Sequence, residues 1–202
     1  MRNLHIMAHI SLDGVIQAPG GPDEDRSNGF AHGGWVTPFA DPEVGRVVVQ
    51  SLSGELDLLL GRHTYDIWAQ HWPDQSGPLA DSLNAATKFV ATHRPESLQW
   101  GPAIALGGEV MQAIRAVKEQ EGPDLILWGS STLTPLLLEH GLADRVTLLI
   151  APIFLGQGKR LFREGTPPRE LALLESKAVA SGVLINSYKP GGAIRTGLFG
   201  DA

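Results

Sequence analysis

The chain opens on "LHIMAHI" (residues 4 to 10), where apolar and polar positions alternate with the period of a strand that has one face turned inward. Asp13-Gly14 marks the turn that ends it. The next regular pattern is "DPEVGRVVVQSL" (41 to 52): Asp41 stands where an N-cap belongs and Pro42 at the first helical position, which predicts a helix from there. An unbroken apolar run at 57 to 60 predicts a fully buried strand. Further on, "GPLADSLNAA" reads as a short helix and "TKFVATH" (87 to 93) as a strand. "GGEVMQAIRAVKEQEG" (107 to 122) sets Val110, Ile114 and Val117 on one helical face and stops at Gly122. An apolar strand at 125 to 128 leads through Gly-Ser-Ser into a helix ending near residue 140. Three strand-like stretches close the pattern: "RVTLLIAPIFLG" (145 to 156), "ELALLESKAVA" (170 to 180) and "GVLINSYK" (182 to 189).

Strands that alternate with helices and then follow one another predict an α/β fold: a mainly parallel central sheet with an antiparallel C-terminal strand and helices on both faces. With 202 residues, 43% of them hydrophobic, the chain suits one domain over residues 1–190, followed by a flexible Gly-rich tail at 191–202. The Gly- and Pro-rich stretch from 17 to 35 is long for a loop inside a compact domain, which points to a functional segment that closes over a ligand.

Composition removes several classes of function. A net charge of -6 without a run of Lys or Arg is not the footprint of a nucleic-acid binder. The absence of cysteine excludes disulfides, a thiolate nucleophile and the usual structural zinc site. The amino-terminal pattern alternates instead of forming a signal-type apolar core, and "LLIAPIFL" is broken by Pro152 and too short to span a bilayer, so a cytoplasmic protein without membrane partners is expected. His5 and His9 share one face of the first strand, as ordinary strand histidines do, and no metal is expected.

The candidate chemistry lies in two strand-to-helix turns, Gly61-Arg62-His63-Thr64 and Gly129-Ser130-Ser131-Thr132. Each delivers a small residue and hydroxyls to a helix start, where unpaired N–H groups and the positive dipole end attract anions. Taken singly, either turn is explained by an N-cap and a tight bend. Two of them on one sheet can grip opposite ends of a dinucleotide.

In this order, "SLDGVI", "LLGRHTYDIW", "LWGSSTL" and "LADRVTLLIAPIFLGQGKRLF" resemble the dihydrofolate reductase-like superfamily. More closely, they resemble small stand-alone proteins related to the C-terminal reductase domain of the riboflavin-biosynthesis deaminase-reductase. The resemblance covers most of residues 4 to 189 and implies an NADPH-dependent reductase that moves a hydride to a C=N or C=O bond of a small heterocyclic substrate. It implies that Gly61, Arg62, His63 and Thr64 hold cofactor phosphates, with Arg62 toward the adenosine 2′-phosphate. Thr92, His93 and Arg94 fall where adenine-side contacts are made, Trp128, Gly129, Ser130, Ser131, Thr132 and Leu133 at the diphosphate turn, and His9 and Ile16 beside the nicotinamide.

Asp41 and Glu43 lie where such reductases carry an acidic residue next to the substrate, although a helix N-terminus also favours acids there. Asp13 is a reserve candidate, and Phe30 and Trp35 could stack on a flat substrate or pin the loop. Riboflavin-pathway reductases carry an acidic pair before a proline shortly after the first turn; here "IWAQHWP" lacks it, which leaves the substrate open. A riboflavin-pathway or folate reductase proper and an NADPH-binding module without turnover are the competing expectations. A homodimer is expected from the apolar character of "VTLLIAPIFLGQGKRLF", since related proteins pair through late strands.

Overall fold

Leu58 and Leu60 point to one face of a sheet and Leu59 to the other, and all three are buried, because helices cover both faces. The computed structural model describes residues 1–198. Its strands are β1 (Leu4–Ser11), β2 (Asp57–Gly61), β3 (Lys88–Ala91), β4 (Ala103–Leu106), β5 (Leu125–Trp128), β6 (Arg145–Ala151), β7 (Leu171–Ala178) and β8 (Leu184–Pro190). They form one 8-stranded sheet in the order β4-β3-β2-β5-β1-β6-β8-β7. Every neighbouring pair from β4 to β6 is parallel, and β8 runs antiparallel to both β6 and β7. The expected architecture is therefore the observed one, with β8 as the reversed strand.

The helices are α1 (Pro42–Ser51), α2 (Arg62–Ala69), α3 (Pro78–Ala85), α4 (Val110–Glu119) and α5 (Leu133–Glu139). On one face, Ile114 and Val117 of α4 and Leu137 of α5 pack against Leu4, Leu59 and Leu127. On the other, Tyr65 of α2 and Leu83 of α3 pack against Leu58, Leu60 and Ile126. At the opposite end of the sheet from the α2 turn, Arg2 and Asp57 form a buried ion pair at 2.5 Å, and Asp57 also accepts from the Thr87 amide.

β4 was not foreseen: "AIAL" is short and runs into two glycines that read as the start of a helix. The apolar character of β6 has a simpler cause than an exposed interface, because β6 lies inside the sheet between β1 and β8. The segment after Pro190 turns back along Glu170, through Gly191 N–H to the Glu170 carbonyl at 2.8 Å and Arg195 to its carboxylate at 2.8 Å. Positions 199–202 of the expected tail lie outside the described residues. Among the described residues no helix is long and apolar enough to cross a membrane.

Candidate functional site

β1, β2 and β5 are neighbours whose carboxyl ends open on one crevice, at the place where the connections turn from one side of the sheet to the other. Open α/β sheets bind ligands there. The two turns singled out in the sequence form facing walls, 61–64 and 128–132; His9 lies in the floor, and Gln17, Asp25 and Lys159 close the rim.

The two turns approach each other closely: a Cβ on Gly61 would stand 3.3 Å from Ser130 Oγ, a tight contact across the crevice. Gly129 has φ +83, in the left-handed region that favours glycine, and its amide still donates to the Met7 carbonyl at 2.8 Å. Around it the Ser130 amide donates to Thr134 Oγ1 at 3.1 Å, and Thr134 Oγ1 donates to the Gly129 carbonyl at 2.9 Å. Gly61, the residue before α2, supplies no side-chain cap, which leaves the first-turn amides of α2 available at the crevice. A glycine cradle, an uncapped helix start and a wall of hydroxyls fit the phosphates of a dinucleotide.

The cations are placed differently from the expectation. Arg62 lies in the wall, but its Nε donates to Asp66 at 2.7 Å, and its Nη1 donates to Thr92 Oγ1 at 3.2 Å and to the Arg94 carbonyl at 2.9 Å. Its guanidinium thus ties α2 to the end of β3. Arg94 is exposed and faces the same Asp66 at 3.6 Å. Thr92 is buried and serves Arg62 and the Arg94 amide, Leu133 belongs to the core, and His93 is exposed; none of these, nor Arg94, lines the crevice.

The rim is organised by Gln17. Its side-chain amide donates to the carbonyls of Asp25 and Ser27, both at 3.1 Å, its Oε1 accepts from the Lys159 amide at 2.9 Å, and its carbonyl accepts from Trp35 Nε1 at 2.8 Å. Asp25 is held by Lys159 at 2.6 Å and the Ser27 amide at 3.0 Å, and lies 2.9 Å from His63 Nε2. Burial alone would raise its carboxyl, but the bonds from Lys159 and Ser27 and the neighbouring His63 outweigh burial and hold it well below the usual carboxylate range. Glu24, also at the crevice, is pushed up by burial although the Gly20 and Gly21 amides bond to it.

Phe30 and Trp35 are both buried in the cluster under this loop, with Val15, Val44 and Leu149. They pin the loop and do not line the crevice, in keeping with the second of the two roles expected of them.

The proposed acids also have structural tasks. Asp41 caps α1 through the Glu43 amide at 2.8 Å, and its second oxygen accepts from the Ser181 amide at 3.2 Å. Glu43 pairs with Arg46 and Lys177, and those bonds, Arg46 first, hold its carboxyl down to about 2. Glu43 lines neither the crevice nor the cavity beyond His9, and Asp41 reaches only the latter. Asp13 accepts from Ser11, Leu155 and Gly156 and so joins β1 to the loop after β6. No free carboxyl faces His9 from these three positions.

His9 is different. It lines both the crevice and a second cavity, and its imidazole stands edge-on to Trp128 with ring centroids 5.6 Å apart. Burial lowers its pKa to about 4, with no charge or hydrogen bond opposing, so the ring is neutral at ordinary pH. Of the residues expected at the cofactor, His9, Ile16, Gly61 to Thr64 and Trp128 to Thr132 are brought together. Gln17, Glu24, Asp25, Trp68 and Lys159 were missed. Among the described residues no group of three His, Asp or Glu could hold a metal ion.

Residues 2–185 match the family of the RibD C-terminal domain. The chain belongs to that family. The uncharacterized protein YyaP of Bacillus subtilis (strain 168) is 24% identical over 181 residues, covering 87% of this chain and 88% of its own. A pyrimidine reductase-like protein from Corynebacterium diphtheriae superposes with a TM-score of 0.61 at 16% identity, over 96% of this chain and 93% of its own. Dihydrofolate reductase from Enterococcus faecalis, complexed with NADP(H), superposes with a TM-score of 0.60 at 14% identity, over 93% of this chain and 96% of its own. The fold is dihydrofolate reductase-like.

Proposed function

We propose that this RibD C-terminal-type chain is an NADPH-dependent reductase that delivers a hydride to a C=N or C=O bond of a small molecule. The observation that carries the reading is the contact between the two turns: Gly61 and Ser130 approach closely across the crevice, at the end of the sheet where a dinucleotide would lie. The Enterococcus faecalis enzyme, with NADP(H) bound on the same fold, supports it. Bound there, NADPH would supply the hydride. The α2 amides and the hydroxyls of Thr64, Ser130 and Thr132 would bind its phosphates, Arg62 and Arg94 would face its adenosine end, and His9 and Ile16 would flank its nicotinamide. The loop from Gln17 to Trp35 would exclude water from the reacting atoms.

Titration of NADPH and NADH, followed by cofactor fluorescence, tests this reading. NADPH should bind, and Gly61→Val should weaken it at least tenfold by closing the gap to Ser130. Equal binding by the wild type and Gly61→Val would move the cofactor elsewhere. Asp66, set between Arg62 and Arg94, favours one second reading: a carboxylate among these cations could bond a free ribose hydroxyl, and preference for NADH would establish it.

A further inference from the structure

The second cavity lined by His9 contrasts with the crevice. Its walls include Phe39, Val44 and Val48 on one side and Leu149, Ala151 and Val183 on the other. Its polar side chains are those of His9, Thr37 and Asp41, and no lysine or arginine lines it. Both Asp41 oxygens are already engaged by the Glu43 and Ser181 amides. The cations borne nearby on α1 and β7, Arg46 and Lys177, are both tied to Glu43. The crevice, by comparison, contains Arg62, His63 and Lys159 and a group of hydroxyls.

The geometry points to the apolar cavity as the site of the hydride acceptor, and to that acceptor being an uncharged, mainly apolar carbonyl or imine compound that bears no phosphate and turns its polar end to His9. This rests on the reductase reading. Apolar walls stabilise an apolar body, whereas a phosphate dianion moved into this cavity would lose its hydration without finding a cation and would lie beside the Asp41 carboxylate. Neutral His9 carries one donor nitrogen and one acceptor nitrogen, and either can orient a single polar group without charging it. His9 is also the shared wall, so a group bonded to it lies next to the crevice. A sugar-phosphate substrate does not match this cavity.

The test measures binding by ligand-observed NMR, with and without NADPH, of three neutral bicyclic carbonyl compounds (2-naphthaldehyde, 1-tetralone and 4-chromanone) and of 2-naphthyl phosphate. Gly45→Trp is the blocking variant: Gly45 lies on α1 and lines the cavity, and a Cβ there meets nothing within 4 Å, so a side chain can be added at the cavity without a clash at its root. Only binding that this variant weakens is counted, which sets aside phosphate held in the crevice. At least one neutral compound should bind at least tenfold more tightly than the naphthyl phosphate and lose at least tenfold in Gly45→Trp, with NADPH affinity unchanged within twofold. Failure of all three neutral compounds, binding unaffected by Gly45→Trp, or equal Gly45-sensitive binding of the phosphate would overturn the proposal. Failure of NADPH alone, with the neutral compounds still displaced by Gly45→Trp, would sink the reductase reading and leave the selectivity of the cavity standing.

Discussion

Asp25 Oδ2 lies 2.9 Å from His63 Nε2, so a loop residue is held against the turn expected to carry phosphate. The same oxygen takes Lys159 Nζ at 2.6 Å, and three segments far apart in sequence meet on one buried carboxylate.

Asp25→Ala should therefore act first on the loop. Breaking a buried ion pair from one side destabilises by about 3 to 5 kcal/mol, because the remaining charge loses its partner. Lys159 is about one third exposed, which places the expected loss near the lower figure. Hydrogen exchange should show lost protection across residues 17–35 while β5 keeps its own; uniform loss would mean that Asp25 supports the whole domain.

Cofactor preference should depend on Arg94 at least as much as on Arg62, since Arg94 is exposed and Arg62 is largely committed to Asp66, Thr92 and the Arg94 carbonyl. A charge-assisted hydrogen bond contributes about 1.5 to 3 kcal/mol, roughly ten- to a hundredfold in affinity. Arg62→Ala with Arg94→Ala should cost NADPH that much and NADH little, and added salt should reduce the difference. If the double variant still separates the two cofactors, the 2′-phosphate is bound elsewhere.

His9 makes the stability of the domain sensitive to acid. Its folded pKa of about 4 lies below the unfolded value of about 6.5, so only the unfolded chain takes up the proton between these values. Stability attributable to His9 is complete above pH 6.5 and falls as the pH drops toward 4, by at most about 3 kcal/mol. His9→Gln should flatten this part of the stability profile in denaturant titrations run from pH 7 to pH 4. An unchanged slope would place the proton uptake on another group.

A homodimer, proposed here, would form through β7 and not β6. β7 is an edge strand, nearly all of it exposed, with a register irregularity at Leu173/Glu175 and two apolar residues in solvent, Leu173 and Leu174. Light scattering should find a dimer at micromolar concentration and a monomer for Leu173→Lys with Leu174→Lys. A wild-type monomer would refute the pairing.

What the sequence made legible was local. Gly61 and Gly129 could be read because two such turns, each a small residue and hydroxyls after a buried apolar run, stand on one sheet, and both do line one crevice. Asp41 carried its cap signal openly, in the Pro that follows it. Gln17 and Lys159 could not be read in this way. Their contact spans 142 positions, and Asp25 meets Lys159 across 134, distances over which no spacing pattern persists. Arg62 was half legible: the turn was right and Asp66 stands four residues on in α2, but its other partners, Thr92 and the Arg94 carbonyl, come from the loop after β3. β4 was hidden because four small and aliphatic residues before paired glycines carry no period of their own.

A single residue, His9, lines both cavities. The two glycine turns belong to β2, β5 and the helices after them, while the apolar walls come from α1, β6 and Val183 just before β8. On the proposed reductase reading, substitutions on α1 would reshape the acceptor's cavity without touching the turns of the crevice. A scaffold divided in this way would diversify over new acceptors while its cofactor half stayed constant, and Val44, Val48 and Val49 are the positions at which to start a directed library.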